Sequence, residues 1–153
     1  MNGIQWRWLR FDDFTGPELY AVLQLRSAVF VVEQHCVFQD MDNADAQALH
    51  LLGLQEGRLV AYARCFAAGG PFAEASIGRV LTHASLRGRG AGHLLIEKAI
   101  VYLTQQWGPQ AIRIGAQRHL QAFYQRHGFE KAGLLYLEDG IEHIEMLRRI
   151  ESI

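Results

Sequence analysis

The chain has 153 residues, 50% of them hydrophobic, with 15 Lys and Arg set against 16 Asp and Glu for a formal charge of −1. Near-neutral charge with scattered basic residues leaves no electrostatic footprint for nucleic acid, and no apolar run approaches the roughly 20 residues of a membrane-spanning helix. A chain this long is expected to fold as one domain over 1–153, burying about 68–70% of its unfolded surface without staples.

Gln5 to Phe11 alternates as a first strand. Thr15 and Glu18 stand at capping-box spacing with Pro17 between them, so a helix begins there, carrying Leu19, Val22, Leu23, Leu25, Arg26 and Val29. Residues 34–48 show no clean period. His50 to Leu54 and Leu59 to Phe66 flank Glu56-Gly57 and predict a hairpin. After a Gly/Pro-rich loop at Ala67 to Ala73, Ala75 to Thr82 has the β-branched content of a buried strand.

Leu86-Arg87-Gly88-Arg89-Gly90-Ala91-Gly92 follows and leads into an amphipathic helix. Gly92, Leu95, Ile96, Ala99, Ile100 and Leu103 fall on one face, while Glu97, Lys98, Gln105 and Gln106 fall away from it. Gly108-Pro109 stops the helix, and Ala111 to Ala116 reads as the next strand, which predicts a parallel βαβ pair and an α/β class. Gly128 suits the C′ position of a short helix over Leu120 to His127; Phe129 to Tyr136 and Ile141 to Arg149 then flank Glu138-Asp139-Gly140 as a closing hairpin.

Each glycine at 88, 90 and 92 costs roughly 0.5–1 kcal/mol relative to alanine once ordered, so the backbone must approach something closely. Successive N–H groups can converge there on an anion, aided by the helix dipole, and a pyrophosphate is the natural ligand. The Rossmann spacing fails because His93 stands in its last glycine position, and no Gly-Lys-Ser/Thr completes a P-loop. What remains, Arg87-x-x-Gly90-x-Gly92, resembles the acyl-coenzyme-A loop of the GNAT N-acetyltransferases. Leu120 to Phe129 resembles the GNAT segment in which a short helix bears an aromatic pair and ends at Gly-Phe. Leu23 to Gln34, Gln39-Asp40, Ile77-Gly78-Arg79-Val80, Ala116 to Gln121 and Glu138 to Ile144 extend the resemblance over nearly the whole chain, to the ElaA-like branch.

The resemblance implies a single GNAT-type domain of α/β (α+β) class, with a mixed, largely antiparallel sheet splayed between two central parallel strands and flanked by helices. It implies acetyl-CoA as acyl donor and a primary amine as acceptor. The backbone of Val80, Leu81 and Thr82 would hold pantetheine as an added strand. Gly88, Arg89, Gly90, Ala91 and Gly92 would hold the pyrophosphate, with Arg87 leading into the loop and Arg89 equally readable as a solvated charge. Gln117, where many relatives carry asparagine, would bond the cofactor or a water. Tyr124 would protonate the departing thiolate; the plainer reading makes Phe123 and Tyr124 core aromatics.

The base is open. The glutamate that several GNAT enzymes place on the strand matching 111–116 is missing, those positions holding Ile112 and Ile114. Glu33, His119 and His143 are the candidates. Each also has a structural reading: Glu33 as a partner of Arg26 or Arg79, His119 as a helix cap, His143 as a residue bonded across its hairpin. Glu33, Asp40, Asp42 and Asp45, with Glu138, Asp139 and Glu142 nearby, read as an acidic rim that would favour a cationic amine, or as a solvated loop.

None of the seven histidines stands at metal-ligand spacing, so no metal is expected. Cys36 and Cys65 form no C-x-x-C pair and read as free thiols. Met1 to Arg10 lacks the pattern of a signal peptide, so a cytoplasmic location is expected, with no nucleic-acid or membrane partner; a homodimer is compatible with the reading. Two other functions stay open. Autoinducer synthases share the architecture and an N-terminal region broadly like Arg26 to Glu33, which allows a longer acyl donor, and the missing strand acid allows a non-catalytic acyl-CoA-binding module.

Overall fold

Strand β1 (Ile4–Arg10) lies near the start of residues 3–150, the part of the chain that the computed structural model describes. The ends of the expected 1–153 domain, residues 1–2 and 151–153, lie outside the described residues. Both faces of β1 are covered: Trp6 and Trp8 join the larger core and Leu9 the smaller. Helix α1 (Gly16–Arg26) starts where the capping box requires, with Thr15 Oγ1 accepting from the Glu18 amide at 3.2 Å and Glu18 accepting from the Thr15 amide at 2.9 Å. It continues as a π-helical stretch over Ser27–Glu33, a local widening found often beside functional sites.

β2 (Leu49–Gln55) and β3 (Arg58–Phe66) form the expected hairpin across Glu56-Gly57. β4 (Ala75–Thr82), α2 (Ala91–Trp107) and β5 (Ile112–Gln117) make the βαβ unit, and α3 (Gln121–Gln125) precedes the closing hairpin of β6 (Phe129–Glu138) and β7 (Ile141–Arg148). The strands form one sheet in the order β1-β2-β3-β4-β5-β7-β6, antiparallel everywhere except between β4 and β5.

That parallel pair is the joint of the molecule. It closes only at Ala75 with Ile112 and Ser76 with Arg113, although β4 runs on to Thr82 and β5 to Gln117. Each strand stays paired on its other side, β5 with β7 from Ile112 to Gln117 and β4 with β3. A bulge bends β4 away: Tyr62 faces Leu81 and Arg64 faces Gly78, so Arg79 and Val80 together oppose only Ala63. Arg79 marks the bulge with φ +50, a conformation that costs a non-glycine residue of order 1 kcal/mol or more.

α2 covers the closed end of this joint. Leu95, Ile96, Ala99 and Leu103 are buried against Ile77, Ile112 and Ile114, and the helix ends at Trp107, where the Gly108 amide bonds the Thr104 carbonyl at 2.8 Å. On the opposite face, Val22 of α1 packs with Leu9, Leu52, Tyr62 and Leu81.

Candidate active site

The parting of β4 from β5 leaves a cleft of about 720 Å³. Gly78 to Thr82 form one wall and Ile114 to Gln117 the other; Tyr124 reaches in from α3, and Phe30, Phe66 and Phe72 supply apolar surface. Val80 sits in the bulge, sharing Ala63 of β3 with Arg79, while Leu81 and Thr82 pair with Tyr62 and Ala61.

Beyond the end of β4 lies the glycine loop. Gly88 and Gly90 have φ of +79 and +80, and a Cβ added to either would meet no atom within 4 Å. Backbone conformation and an unobstructed approach, rather than packing, explain these two residues. Gly92 differs: it lies inside α2, where a Cβ would meet the Phe123 ring at 3.4 Å. The first intrahelical bond of α2 runs from the Leu94 amide to the Gly90 carbonyl at 3.2 Å. The amides of Ala91, Gly92 and His93 thus belong to the first turn, which cannot satisfy its own donors and suits an anion.

Arg87 does not point freely into the loop. Both of its terminal nitrogens donate to the Glu33 carboxylate, Nη2 at 2.7 Å, and Nη2 also lies 3.3 Å from the Thr82 carbonyl. This corrects the expected pairing of Glu33 with Arg26 or Arg79. The hydrogen bond from Arg87 holds the Glu33 carboxyl below its ordinary range. Arg89 is exposed.

Tyr124 is buried at 7% exposure yet lines the cleft. Burial raises its phenol well above the ordinary range, so it stays protonated at neutral pH. Phe123 packs edge-on against it at 5.0 Å. Gln117 donates to Gln34 Oε1 at 3.2 Å, joining β5 to the chain that follows the π-helical stretch. His119 lines the cleft from an exposed position and caps nothing, since the N-cap of α3 is Leu120, with no side-chain bond.

His143 is better placed. Its Nδ1 lies 2.7 Å from the Ile141 carbonyl, an acceptor, so in the neutral ring Nδ1 carries the proton and Nε2 the lone pair, 3.6 Å from Glu138 Oε2. The bond to Ile141 runs within β7, not across the hairpin as expected; across the turn the Glu138 carboxylate approaches the ring. Tyr136, directly opposite on β6, stacks on the imidazole at 5.6 Å. A Cβ on Gly115 would collide with the Tyr136 hydroxyl, so the missing side chain on β5 makes room for a phenol arriving from two strands away. Nothing in the local pattern of either residue signals this contact.

Three acids of the expected rim are neutralised by arginines, while Glu138 and Asp139 still line the cleft. Asp40 accepts from Arg26 Nε at 2.8 Å and Arg79 Nε at 2.8 Å; Asp45 accepts from Arg26 Nη1 at 2.7 Å and Arg64 Nη1 at 2.9 Å; Asp42 accepts from Arg64 Nη2 at 2.7 Å. Three carboxylates and three guanidiniums cancel, with Arg26 wholly buried. Burial alone would raise the Asp42 and Asp45 carboxyls, yet Arg64, and for Asp45 also Arg26, hold both below the usual range. This network, not a periodic element, fixes the aperiodic residues 34–48. No local pattern reveals it, because the acids pair with arginines from α1, β3 and β4, far away in sequence.

Among the described residues no cluster of three or more His, Cys, Asp or Glu is placed to hold a metal, and no helix is long and apolar enough to cross a membrane.

Comparison with known proteins agrees with this geometry. A family model described as an acetyltransferase (GNAT) domain matches residues 16–150. Protein ElaA of Escherichia coli K12 is 42% identical over 149 residues, 96% of this chain and 97% of its own; its crystal structure superposes with a TM-score of 0.88. An acyl-CoA N-acyltransferase from Pseudomonas aeruginosa superposes at 0.90 with 41% identity, covering 95% of this chain and 99% of that one. A CoA-dependent acyl-homoserine lactone synthase, BjaI, reaches 0.80 at 16% identity over 97% of this chain and 84% of its own, a likeness of fold alone.

Proposed function

As this chain belongs to the GNAT acetyltransferase family, in its ElaA-like branch, we propose that it transfers the acetyl group of acetyl-CoA to a primary amine, with 1–153 as one catalytic domain in the cytoplasm. The observation that carries the reading is the open β4–β5 joint, which ends beside the glycine loop and holds a protonated Tyr124. In this reading the Ala91, Gly92 and His93 amides, with Gly88, Arg89 and Gly90 around them, receive the pyrophosphate. The backbone of Val80, Leu81 and Thr82 lies along the pantetheine, and the Val80 amide at the bulge polarises the thioester carbonyl. Gln117 orients a water or the pantetheine amide.

A thioester is already activated, so the protein supplies position and proton transfer. An alkylamine with pKa near 10.4 costs about 4–5 kcal/mol to deprotonate at pH 7. His143 Nε2 takes that proton, and the imidazolium formed gains an ion pair with Glu138. The free amine then attacks the carbonyl carbon; the C–S bond breaks, and Tyr124 gives its proton to the sulfur. The second proton leaving the nitrogen restores the phenol through solvent. His119 and Glu33 act beside this path, Glu33 by holding Arg87. With Asp40, Asp42 and Asp45 neutralised, the remaining acids Glu138 and Asp139 ask for no strongly cationic acceptor, and either a small amine or an exposed protein amine fits.

A longer acyl chain is the second reading, favoured by the apolar surface of Phe30, Phe66 and Phe72. Release of free thiol from acetyl-CoA in the presence of an amine panel tests the main reading; binding with no release above the uncatalysed rate would leave an acyl-CoA-binding module instead.

A further inference from the structure

Two imidazoles share one hydrogen bond beside the glycine loop: His93 Nδ1 and His127 Nε2 lie 2.8 Å apart. His93 is the third residue of α2, and His127 stands two residues past the end of α3. Both rings pack on Phe123, with centroids at 4.5 and 5.5 Å. On the far side of His93, Arg126 Nη1 approaches Nε2 at 3.4 Å. A guanidinium can only donate, so His93 accepts at Nε2, carries its proton on Nδ1 and donates to His127 Nε2. The directions of both bonds are thereby set, and the resting pair is neutral.

The charges around the pair explain why it rests that way. Burial, the neighbouring His93, and the cations Arg126 and Arg148 hold His127 below the ordinary imidazole range, against the opposing pull of Glu97 one turn along α2. Arg148 reaches in from β7, its Nε donating to the His127 carbonyl at 3.1 Å. The helix turn that carries His93 also carries the amides assigned to the pyrophosphate. An anion there is a better acceptor for Arg126 than an imidazole nitrogen, and its charge favours imidazolium over imidazole.

We propose that binding of the donor's diphosphate draws Arg126 away from His93 and places one shared proton on the His93–His127 pair, so that donor binding takes up a proton. The hydrogen bond between the two imidazoles gives a single added proton a place between two nitrogens. Because the bound state is the protonated one, donor affinity weakens as pH rises. The inference rests on the glycine loop receiving the donor, and it adds Arg126 and His127, which the loop motif does not contain, together with a side-chain role for His93.

The test is calorimetry with dephospho-CoA, which lacks the phosphomonoester whose own proton titrates near pH 6. Wild-type protein is titrated at pH 7 in two buffers of different ionisation enthalpy, and Kd is measured at pH 6 and pH 8. Net proton uptake is expected, with Kd rising about tenfold for a one-unit change in the pair's pKa on binding. In His93→Gln and His127→Gln the uptake should vanish and Kd should stay flat. Binding by the wild type without uptake, or uptake retained in both variants, overturns the proposal and leaves the donor reading standing. A wild type that binds neither dephospho-CoA nor CoA overturns the donor reading and this inference with it.

Discussion

The Glu33 carboxylate accepts from both terminal nitrogens of Arg87, joining the π-helical stretch after α1 to the residue that opens the glycine loop. Both side chains are more than two-fifths exposed, so the pair contributes little to stability, about 0–1 kcal/mol. Its value is positional, because Arg87 also touches the Thr82 carbonyl at the end of β4. Glu33→Gln should therefore raise the donor KM while leaving kcat within about threefold. A kcat loss of about a hundredfold at unchanged KM would instead make Glu33 the base.

Gly90 and Gly92 should respond differently to substitution. Gly90→Val forces a β-branched residue to φ +80 and sets its side chain over the anion approach, so donor affinity should fall at least about tenfold by calorimetry. Gly92→Ala meets only the Phe123 ring at 3.4 Å and should change affinity by less than about threefold, or about 0.7 kcal/mol. Equal losses at both positions would contradict the distinction.

Much of this site was legible in the sequence. Capping residues, turn pairs and apolar periods are local signals, and they placed the start of the first helix, the Glu56-Gly57 hairpin, the βαβ unit and the closing hairpin within a residue or two. The glycine loop was legible for the same reason: its three glycines and its arginine lie within six positions. What escaped reading are contacts made by folding distant segments together. Arg26 ends up wholly buried because Asp40 and Asp45 return to it, and Tyr136 reaches Gly115 only because β7 inserts between β5 and β6. The packing of α1, β3 and β4 together likewise pairs three acids of the expected rim with arginines.

That network sets the expected pH dependence of stability. Asp42 and Asp45 are held below their unfolded value of 3.8 by their arginines, so their stabilisation is full above about pH 4 and is lost as pH falls below it. His50 is lowered from 6.5 by burial; its Nε2 donates to the Asp45 carbonyl at 2.9 Å and its Nδ1 accepts from Tyr62 at 2.6 Å. The unfolded chain takes up that proton first, so stability also falls as pH drops below 6.5. Melting temperature should decline in two stages on acidification. Asp45→Asn, which leaves Arg26 with Asp40 alone and Arg64 with Asp42 alone, should cost about 1–3 kcal/mol at pH 7; an unchanged melting temperature would show the network to be dispensable.

His143→Gln separates base from scaffold. Turnover should fall by about a hundredfold with alkylamines, which arrive protonated, and much less with weakly basic amines that are already neutral at pH 7. The same loss for both classes would make His143 a structural residue of β7.

The most direct measurement is mass spectrometry of the products formed from an equimolar mixture of acetyl-CoA and longer acyl-CoA thioesters, with wild-type protein and Tyr124→Phe in parallel. The wild type should release free CoA thiol and yield an amine heavier by one acetyl group. Tyr124→Phe should bind the donor as well but turn over about a hundredfold or more slowly, because packing is kept and the phenolic proton is gone. An amine carrying a longer chain, no acylated amine at all, or a Tyr124→Phe variant as fast as the wild type would contradict the account.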